Sequence, residues 1–237
     1  MISGWLSAAA DEFWLLAGGS APFPRDLGRP LAYALPVSQV LLDRLAVAGI
    51  EKWLERRGID YSFEAPSRPL RGCLVAVRGQ GLIFLDGTDP AAEQRFTLAH
   101  EIAHYLLDYH GKREAAIRRL GEGIIPVLDG ERPPTQTERI DAALAAAPMA
   151  FYVHLFDRRR ADAVVDAAER RADLLAYELL APDEELGARF GPGTSETDVA
   201  EILTREFGFP QSEATAYARH WLRANRPAPS HLSWLRQ

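Results

Sequence analysis

The sequence predicts an α+β fold in which a small β-hairpin precedes a long central helix and the rest of the chain is mostly helical. Two short apolar runs, 73–78 and 82–86, are separated by Gly79-Gln80-Gly81, a pattern typical of a hairpin. Asp89-Pro90 then provides a helix start, and a long apolar stretch follows it. A second strongly helical stretch covers 166–182.

Composition and charge narrow the class of protein. Of the 237 residues, 47% are hydrophobic and 25% are charged, so the chain can bury a sizeable core. The net charge of −6 argues against direct nucleic-acid binding. Cys73 is the one cysteine, which fits a reducing compartment. The N-terminus has no basic start, and the longest apolar run, 144–156, is too short to span a bilayer, so we expect a cytoplasmic protein without a membrane partner.

The first part of the chain predicts few regular elements. Residues 5–17 predict a short amphipathic helix that Gly18-Gly19 ends. The proline-rich segment 20–36 predicts irregular structure. A helix is expected at 47–58, and "DYSFEA", residues 60–65, predicts a short strand.

After the hairpin the sequence predicts helices. The helix that starts at Asp89-Pro90 should run to about residue 109, with Gly111 as its C-cap. Thr135 and Glu138 form a capping-box pattern for a helix in "ERIDAALAAA". Further helices are expected at about 183–190, 196–207 and 211–224, with residues 225–237 as a tail.

The central helix carries His100-Glu101-Ile102-Ala103-His104, an H-E-x-x-H pattern. Residues four apart lie one turn apart on nearly the same helix face, so the two imidazoles can reach one tetrahedral Zn²⁺. Glu101 projects to the side, where it can take a proton from a zinc-coordinated water. The alternative is a buried helix whose histidines are satisfied by hydrogen bonds alone, which would be costly unless each group found partners.

The residues leave three candidates for the third protein ligand. His110 has the H-E-x-x-H-x-x-G-x-x-H spacing, but Leu107 replaces the glycine that the turn needs, so on a continuing helix it points away. Asp108 lies on a similar face to His104 and fits an outer or solvated role better than direct contact. Glu169 lies on the second strong helix with Asp173 on the same face, where Asp173 can accept a hydrogen bond from a ligand histidine; the alternative for this pair is a solvated acidic stripe.

Two blocks of sequence resemble the ImmA/IrrE family of bacterial zinc metallopeptidases: "RFTLAHEIAHYLL" and, downstream, "ERRADLLAYELLAP". The resemblance implies a zincin-like metallopeptidase domain over 1–182, followed by a C-terminal helical segment, 183–237, packed on or appended to it. It implies Zn²⁺ as the cofactor, His100, His104 and Glu169 as its ligands, and Glu101 as the catalytic base. The Glu-x-x-x-Asp spacing is similar to the gluzincin pattern, in which the aspartate, here Asp173, orients a ligand histidine. The gap between the blocks is longer than in many members, so we expect an insertion at about 111–165 that reshapes the substrate cleft.

The same resemblance implies hydrolysis of a peptide bond in a protein substrate, often a helix-turn-helix transcriptional repressor that is cut in response to stress or mobile-element signals. The hairpin offers a candidate edge strand for substrate, and five side chains are candidate oxyanion stabilisers: Tyr105, Tyr152, His154, Tyr177 and His220. A thiolate of Cys73 that caps the metal is a further, weaker hypothesis. Two other functions remain open: a DNA-binding regulator built on the helix pair of 195–225, and a zinc-stabilised interaction module without turnover, which would not need Glu101.

Overall fold

A computed structural model describes residues 4–64, 66–158, 167–191 and 193–225. It confirms the α+β class, with a four-stranded mixed sheet in the order β1-β3-β2-β4 and a mostly helical remainder. The strands are β1 (Val37–Leu42), β2 (Leu70–Val77), β3 (Gln80–Asp86) and β4 (Phe151–Asp157). The described helices are α1 (Gly4–Leu16), α2 (Gly28–Ala34), α3 (Val47–Glu55), α4 (Ala91–His104), α5 (Gly111–Leu120), α6 (Ile125–Leu128), α7 (Gln136–Arg139), α8 (Ala142–Ala146), α9 (Ala167–Leu180), α10 (Asp183–Arg189), α11 (Glu196–Arg205) and α12 (Gln211–Ala224).

The predicted hairpin is correct, but its place in the sheet differs from the expectation. β2 and β3 pair antiparallel, β1 pairs parallel with β3, and β4 pairs antiparallel with β2. Both hairpin strands are therefore interior, and the edges of the described sheet are β1 and β4. The sequence predicted neither edge strand, and it placed a strand at 60–65 where residues 60–64 are irregular.

The two faces of the sheet support separate cores. Leu74 and Ala76 of β2 face the main core, which α4 and α9 share, whereas Cys73 and Val75 face a second core formed with α3. Cys73 thus lies on the opposite face of the sheet from α4, and burial raises the pKa of its thiol. The hypothesis of a metal-capping thiolate is therefore wrong, because the side chain is an apolar core residue that points away from the histidines.

The central helix does not end at Gly111. After α4 the chain widens into a π-helical segment, Tyr105–His110, and continues as α5. Gly111 has a helical φ of −59°. A Cβ there would lie 2.8 Å from the carbonyl oxygen of Leu106, so glycine at this position permits the wide turn instead of ending the helix. At the other end Pro90, and not Asp89, is the N-cap.

The segment between α4 and β4 forms a small core of its own. It contains α5 to α8, and its buried side chains are Ala116, Ile124, Val127, Leu128, Leu144 and Ala147. The capping box of Thr135 and Glu138 is present, but the helix it starts ends at Arg139, and a second short helix begins after Asp141. The backbone N–H of Ala150 donates to the carbonyl of Leu128 immediately before β4. The predicted insertion at about 111–165 therefore contains the edge strand β4, and its residues 159–165 lie outside the described ranges.

The C-terminal helices pack into the main core. Phe207, Phe209 and Tyr217 are buried in it. Arg95 of α4 donates to the carbonyl of Gly208 at 2.8 Å, and Arg71 of β2 forms ion pairs with Glu93 and Glu213. The proposed division of the chain at residue 182 stays a prediction, and residues 226–237 of the expected tail lie outside the described ranges. Among the described helices, none is both long and apolar enough to cross a membrane.

Asp86, at the end of β3, forms hydrogen bonds that stabilise the loop between β1 and α3. The backbone N–H groups of Arg44 and Leu45 each donate to its carboxylate at 3.0 Å, Thr88 donates at 2.6 Å, and Arg158 forms an ion pair with it. Burial disfavours the charged form, but the hydrogen bonds from Thr88, Arg158 and Leu45 outweigh it and hold the pKa of Asp86 below its ordinary value. The charged carboxylate therefore stabilises the fold.

We expect Asp86→Asn to lower the free energy of unfolding at neutral pH by about 2–4 kcal/mol, because a buried charge-assisted network loses its acceptor. The wild-type contribution is present above the ordinary carboxyl pKa of 3.8 and is lost as the pH falls through the lower folded pKa. Urea denaturation from pH 3 to pH 8 should thus show a flatter acid limb for the variant. Asp43→Asn, at an exposed neighbouring position, is the control, and equal losses in the two variants would contradict the assignment.

Candidate metal centre

The H-E-x-x-H residues lie in the middle of α4 and are buried between the sheet and α9. His100 and Glu101 are fully buried, and His104 is 1% exposed. The Nε2 atoms of the two histidines are 3.2 Å apart. The two ring nitrogens that can bind a metal therefore point at one place.

The other ring nitrogen of each histidine contacts a carboxylate. Nδ1 of His100 is 3.0 Å from Oδ1 of Asp173, and Nδ1 of His104 is 2.9 Å from Oδ2 of Asp108. Burial opposes ionisation of Asp108, but hydrogen bonds from His104 and Lys112 lower its pKa to about 2. A carboxylate that accepts the Nδ1 proton fixes the tautomer and leaves Nε2 free as a ligand. Asp173 therefore contacts the predicted histidine, and Asp108 has an outer role.

Glu169 of α9 lies opposite the two histidines. Its Oε2 is 3.5 Å from Nε2 of His100, and its Oε1 is 3.3 Å from Nε2 of His104. Burial opposes its ionisation, but hydrogen bonds from three histidines hold the pKa of Glu169 well below its ordinary range. His110, the alternative third ligand, is instead stacked on Tyr105 with the ring planes 10° apart. The structure thus brings together His100, His104 and Glu169 and leaves His110 out.

A third histidine completes the group. His154 of β4 places its Nε2 2.9 Å from Oε1 of Glu169 and its Nδ1 2.9 Å from Oε2 of Glu101. Burial opposes protonation of this ring, but Glu101 and Glu169 outweigh it and raise the pKa of His154 to about 10. The sequence marked His154 only as one of five candidate oxyanion stabilisers. Its part in the metal group was missed, because no spacing pattern links a strand residue to a helix 50 residues earlier.

The structure also shows which of the other four candidate oxyanion stabilisers lie beside this group of side chains. The hydroxyl of Tyr105 donates to the carbonyl of Gly79, and Tyr177 is stacked on Tyr217 in the main core. His220 lies in α12, outside the group. Tyr152 and His154 are two residues apart on β4 and therefore share a face of the sheet. Burial, with the charges of Asp108, Glu101 and Glu169, raises the pKa of Tyr152, so this phenol stays protonated beside the centre.

These side chains fit a metal ion. One ligand atom from each of His100, His104, His154 and Glu169 lies within 4.8 Å of the others. A tetrahedral zinc ion with bonds of about 2.0–2.1 Å places its ligand atoms about 3.3 Å apart, close to the contacts described above. The donor set and the spacing both favour a metal centre over a plain hydrogen-bonded core.

Gly72 of β2 allows α4 to approach the sheet. A Cβ at this position would lie 2.5 Å from Cγ2 of Thr97 and 3.0 Å from Oε1 of Glu101. The first distance is shorter than any real contact between carbon atoms, so a side chain would push α4 away from β2. Glycine at residue 72 therefore sets the height of Glu101 above the sheet.

A comparison with known protein families finds a match in the part of the chain that contains the H-E-x-x-H motif. Residues 59–125 match the family model of the peptidase M78 group that is described as the IrrE N-terminal-like domain. The match, which covers 67 of the 237 residues, is to the family that the two sequence blocks resemble, so this part of the chain is similar to an IrrE N-terminal-like domain. It includes the hairpin, α4 and α5, and it ends before His154 and Glu169. No curated protein and no solved structure matches the chain.

We expect Gly72→Ala to lower the free energy of unfolding by about 1–3 kcal/mol, because the added methyl group overpacks the contact between β2 and α4. Chemical denaturation measures the loss. Adding Thr97→Ser removes Cγ2 and should restore part of the stability. Gly187→Ala in α10 is the control, since no neighbouring atom lies within 4 Å of its added Cβ, and it should be neutral or stabilising. An unchanged stability of Gly72→Ala would contradict the close packing.

Proposed function

We propose that this protein is a zinc-dependent endopeptidase. The observation that carries the proposal is the convergence of Nε2 of His100, Nε2 of His104 and the carboxylate of Glu169 beside the buried carboxylate of Glu101. Two imidazoles and one carboxylate are a ligand set that catalytic zinc sites use. A purely structural site would not need an additional carboxylate at this position.

The side chains support a hydrolytic mechanism. A zinc ion held by His100, His104 and Glu169 would supply Lewis-acid polarisation of the scissile carbonyl and of a water molecule. Glu101 takes the proton of that water and passes it to the leaving amine. Tyr152 and His154 on β4 are the two candidate donors for the developing oxyanion. Asp108 and Asp173 hold the imidazoles in the orientation that ligation requires.

β4 is the element best suited to hold a peptide substrate. It forms an edge of the described sheet and carries His154, so a strand of substrate that pairs with it would pass the metal centre. Its side chains from Phe151 to Leu155 are all half-buried. This replaces the hairpin, whose strands are both interior, as the substrate-binding edge.

The proposed substrate is a protein, in particular a helix-turn-helix transcriptional repressor, as the family resemblance implies. Direct DNA binding by α11 and α12 is less well supported. Phe207 and Phe209, between these helices, are buried in the main core, and Arg219 is paired with Glu196 at 3.0 Å. These contacts favour a packing role for the helix pair.

Glu101→Gln and Glu169→Ala should separate catalysis from metal binding. Glu101→Gln is expected to keep a full equivalent of zinc. Its kcat should fall by about 10²-fold to 10⁴-fold, because the amide cannot accept the water proton. Glu169→Ala is expected to reduce the zinc content, because a ligand is lost. Elemental analysis and a peptidase assay on the same samples measure both effects.

His110→Ala is the control for these variants, since this histidine lies outside the centre and should keep both zinc and activity. Cleavage by Glu101→Gln at the wild-type rate would show that the base is misassigned. Unchanged zinc stoichiometry in the Glu169→Ala variant would exclude Glu169 as a ligand. Wild-type protein that binds zinc but cleaves no protein would favour the interaction module without turnover.

The substrate can be tested directly. Zinc-loaded protein is incubated with repressors encoded beside its gene, and the products are mapped by mass spectrometry. We expect one defined cut that is lost in the Glu101→Gln variant and after chelation. A cut that persists after chelation would not come from the metal centre, and the absence of any cut would contradict the proposed substrate.

A further inference from the structure

We propose that His154 is a fourth protein ligand of the metal, so that the resting centre is closed and becomes active only when this side chain leaves. The inference rests on the proposed zinc centre and adds a residue to it.

The hydrogen bonding of His154 repeats that of the two motif histidines. Each of the three rings has Nδ1 against a carboxylate: Asp173 for His100, Asp108 for His104 and Glu101 for His154. Metal-binding histidines almost always donate the second ring N–H to a carboxylate, a carbonyl or a water. This arrangement points Nε2 of all three rings toward Glu169. A residue that only stabilised an oxyanion would not need a hydrogen bond between its Nδ1 and Glu101, the proposed base.

The position of the ring also fits a ligand. Its centroid is 5.5 Å from that of His100, and the two motif histidines are 4.8 Å apart. Its side chain is only 13% exposed. Its ring is stacked on that of His104 with the centroids 3.7 Å apart, so the two rings must spread when both bind one tetrahedral ion. Its Nε2 is 2.9 Å from Oε1 of Glu169, and one ligand atom from each of His100, His104, His154 and Glu169 lies within 4.8 Å of the others.

Four protein ligands would leave a tetrahedral zinc ion no position for water. Nδ1 of the same histidine contacts Oε2 of Glu101, and the other carboxylate oxygen, Oε1, is buried against β2. Departure of His154 therefore frees a metal position and the base together. Because the strand pairs through its backbone, rotation of the side chain alone achieves this without breaking the contacts of β4 with β2.

The test uses the full-length protein loaded with Zn²⁺ or with Co²⁺, and acetohydroxamate as a probe that needs an open metal position. His154→Ala should lower the zinc affinity by more than about 100-fold, because loss of an outer partner alone costs about 10–100-fold and loss of a direct ligand should cost more. It should change the visible spectrum of the cobalt protein and strengthen acetohydroxamate binding. In the wild type, acetohydroxamate should bind weakly and leave the cobalt spectrum nearly unchanged.

Tyr152→Phe, on the same face of β4, is the matched control and should keep the wild-type zinc affinity and spectrum. His154→Gln and the wild-type titration with acetohydroxamate decide the question if His154→Ala does not fold. A loss of zinc affinity of about 100-fold or less in a folded His154 variant, or tight acetohydroxamate binding by the wild type, overturns the closed centre and leaves the proposed function standing. Wild-type protein that takes up no zinc overturns the proposed function as well.

Discussion

The contact of one carboxylate, Glu169, with the Nε2 atoms of three imidazoles is the interaction on which the architecture depends. Burying imidazoles and carboxylates is costly unless every polar atom has a partner, so the elements that carry them must meet within hydrogen-bond distance. α4 supplies two rings, β4 supplies the third, and α9 supplies the carboxylate. Gly72 brings α4 down to the sheet, and the ion pairs of Arg71 join β2 to α4 and α12.

The π-helical segment after His104 also helps to position the side chains of this group. Wide turns of this kind interrupt α-helices rarely and occur often beside functional sites. Here the segment contains Asp108, which contacts His104, and Tyr109, whose hydroxyl accepts from the backbone N–H of Gly79 in the hairpin turn. Lys112 and Arg171 also reach Asp108, so the outer partner of one ligand histidine is held from both α5 and α9.

The sequence predicted the parts of this structure that depend on local pattern. The hairpin, α4 with His100 and His104, and α9 with Glu169 each follow from residues close together in the chain or from two family motifs. The errors arose where distant contacts decide the outcome. Gly111 looks like a helix end, yet its missing side chain makes room for the carbonyl of Leu106. "FYVHLFD" has no clear alternation, and only pairing with β2 makes it a strand and brings His154 to the centre.

The histidines differ in how firmly they are held, and this difference supports the proposal that His100 and His104 are permanent ligands and His154 an exchangeable one. His100 and His104 project from a helix that is covered on both sides, so their positions are fixed by the core. His154 projects from an edge strand and is fixed mainly by Glu101 and Glu169. Since Oε1 of Glu101 faces β2, Oε2 is the one oxygen that can serve either His154 or a water molecule. The proposed closed and catalytic states would therefore compete for a single atom, Oε2 of Glu101, and a peptide that pairs with β4 beside His154 would be placed to decide between them.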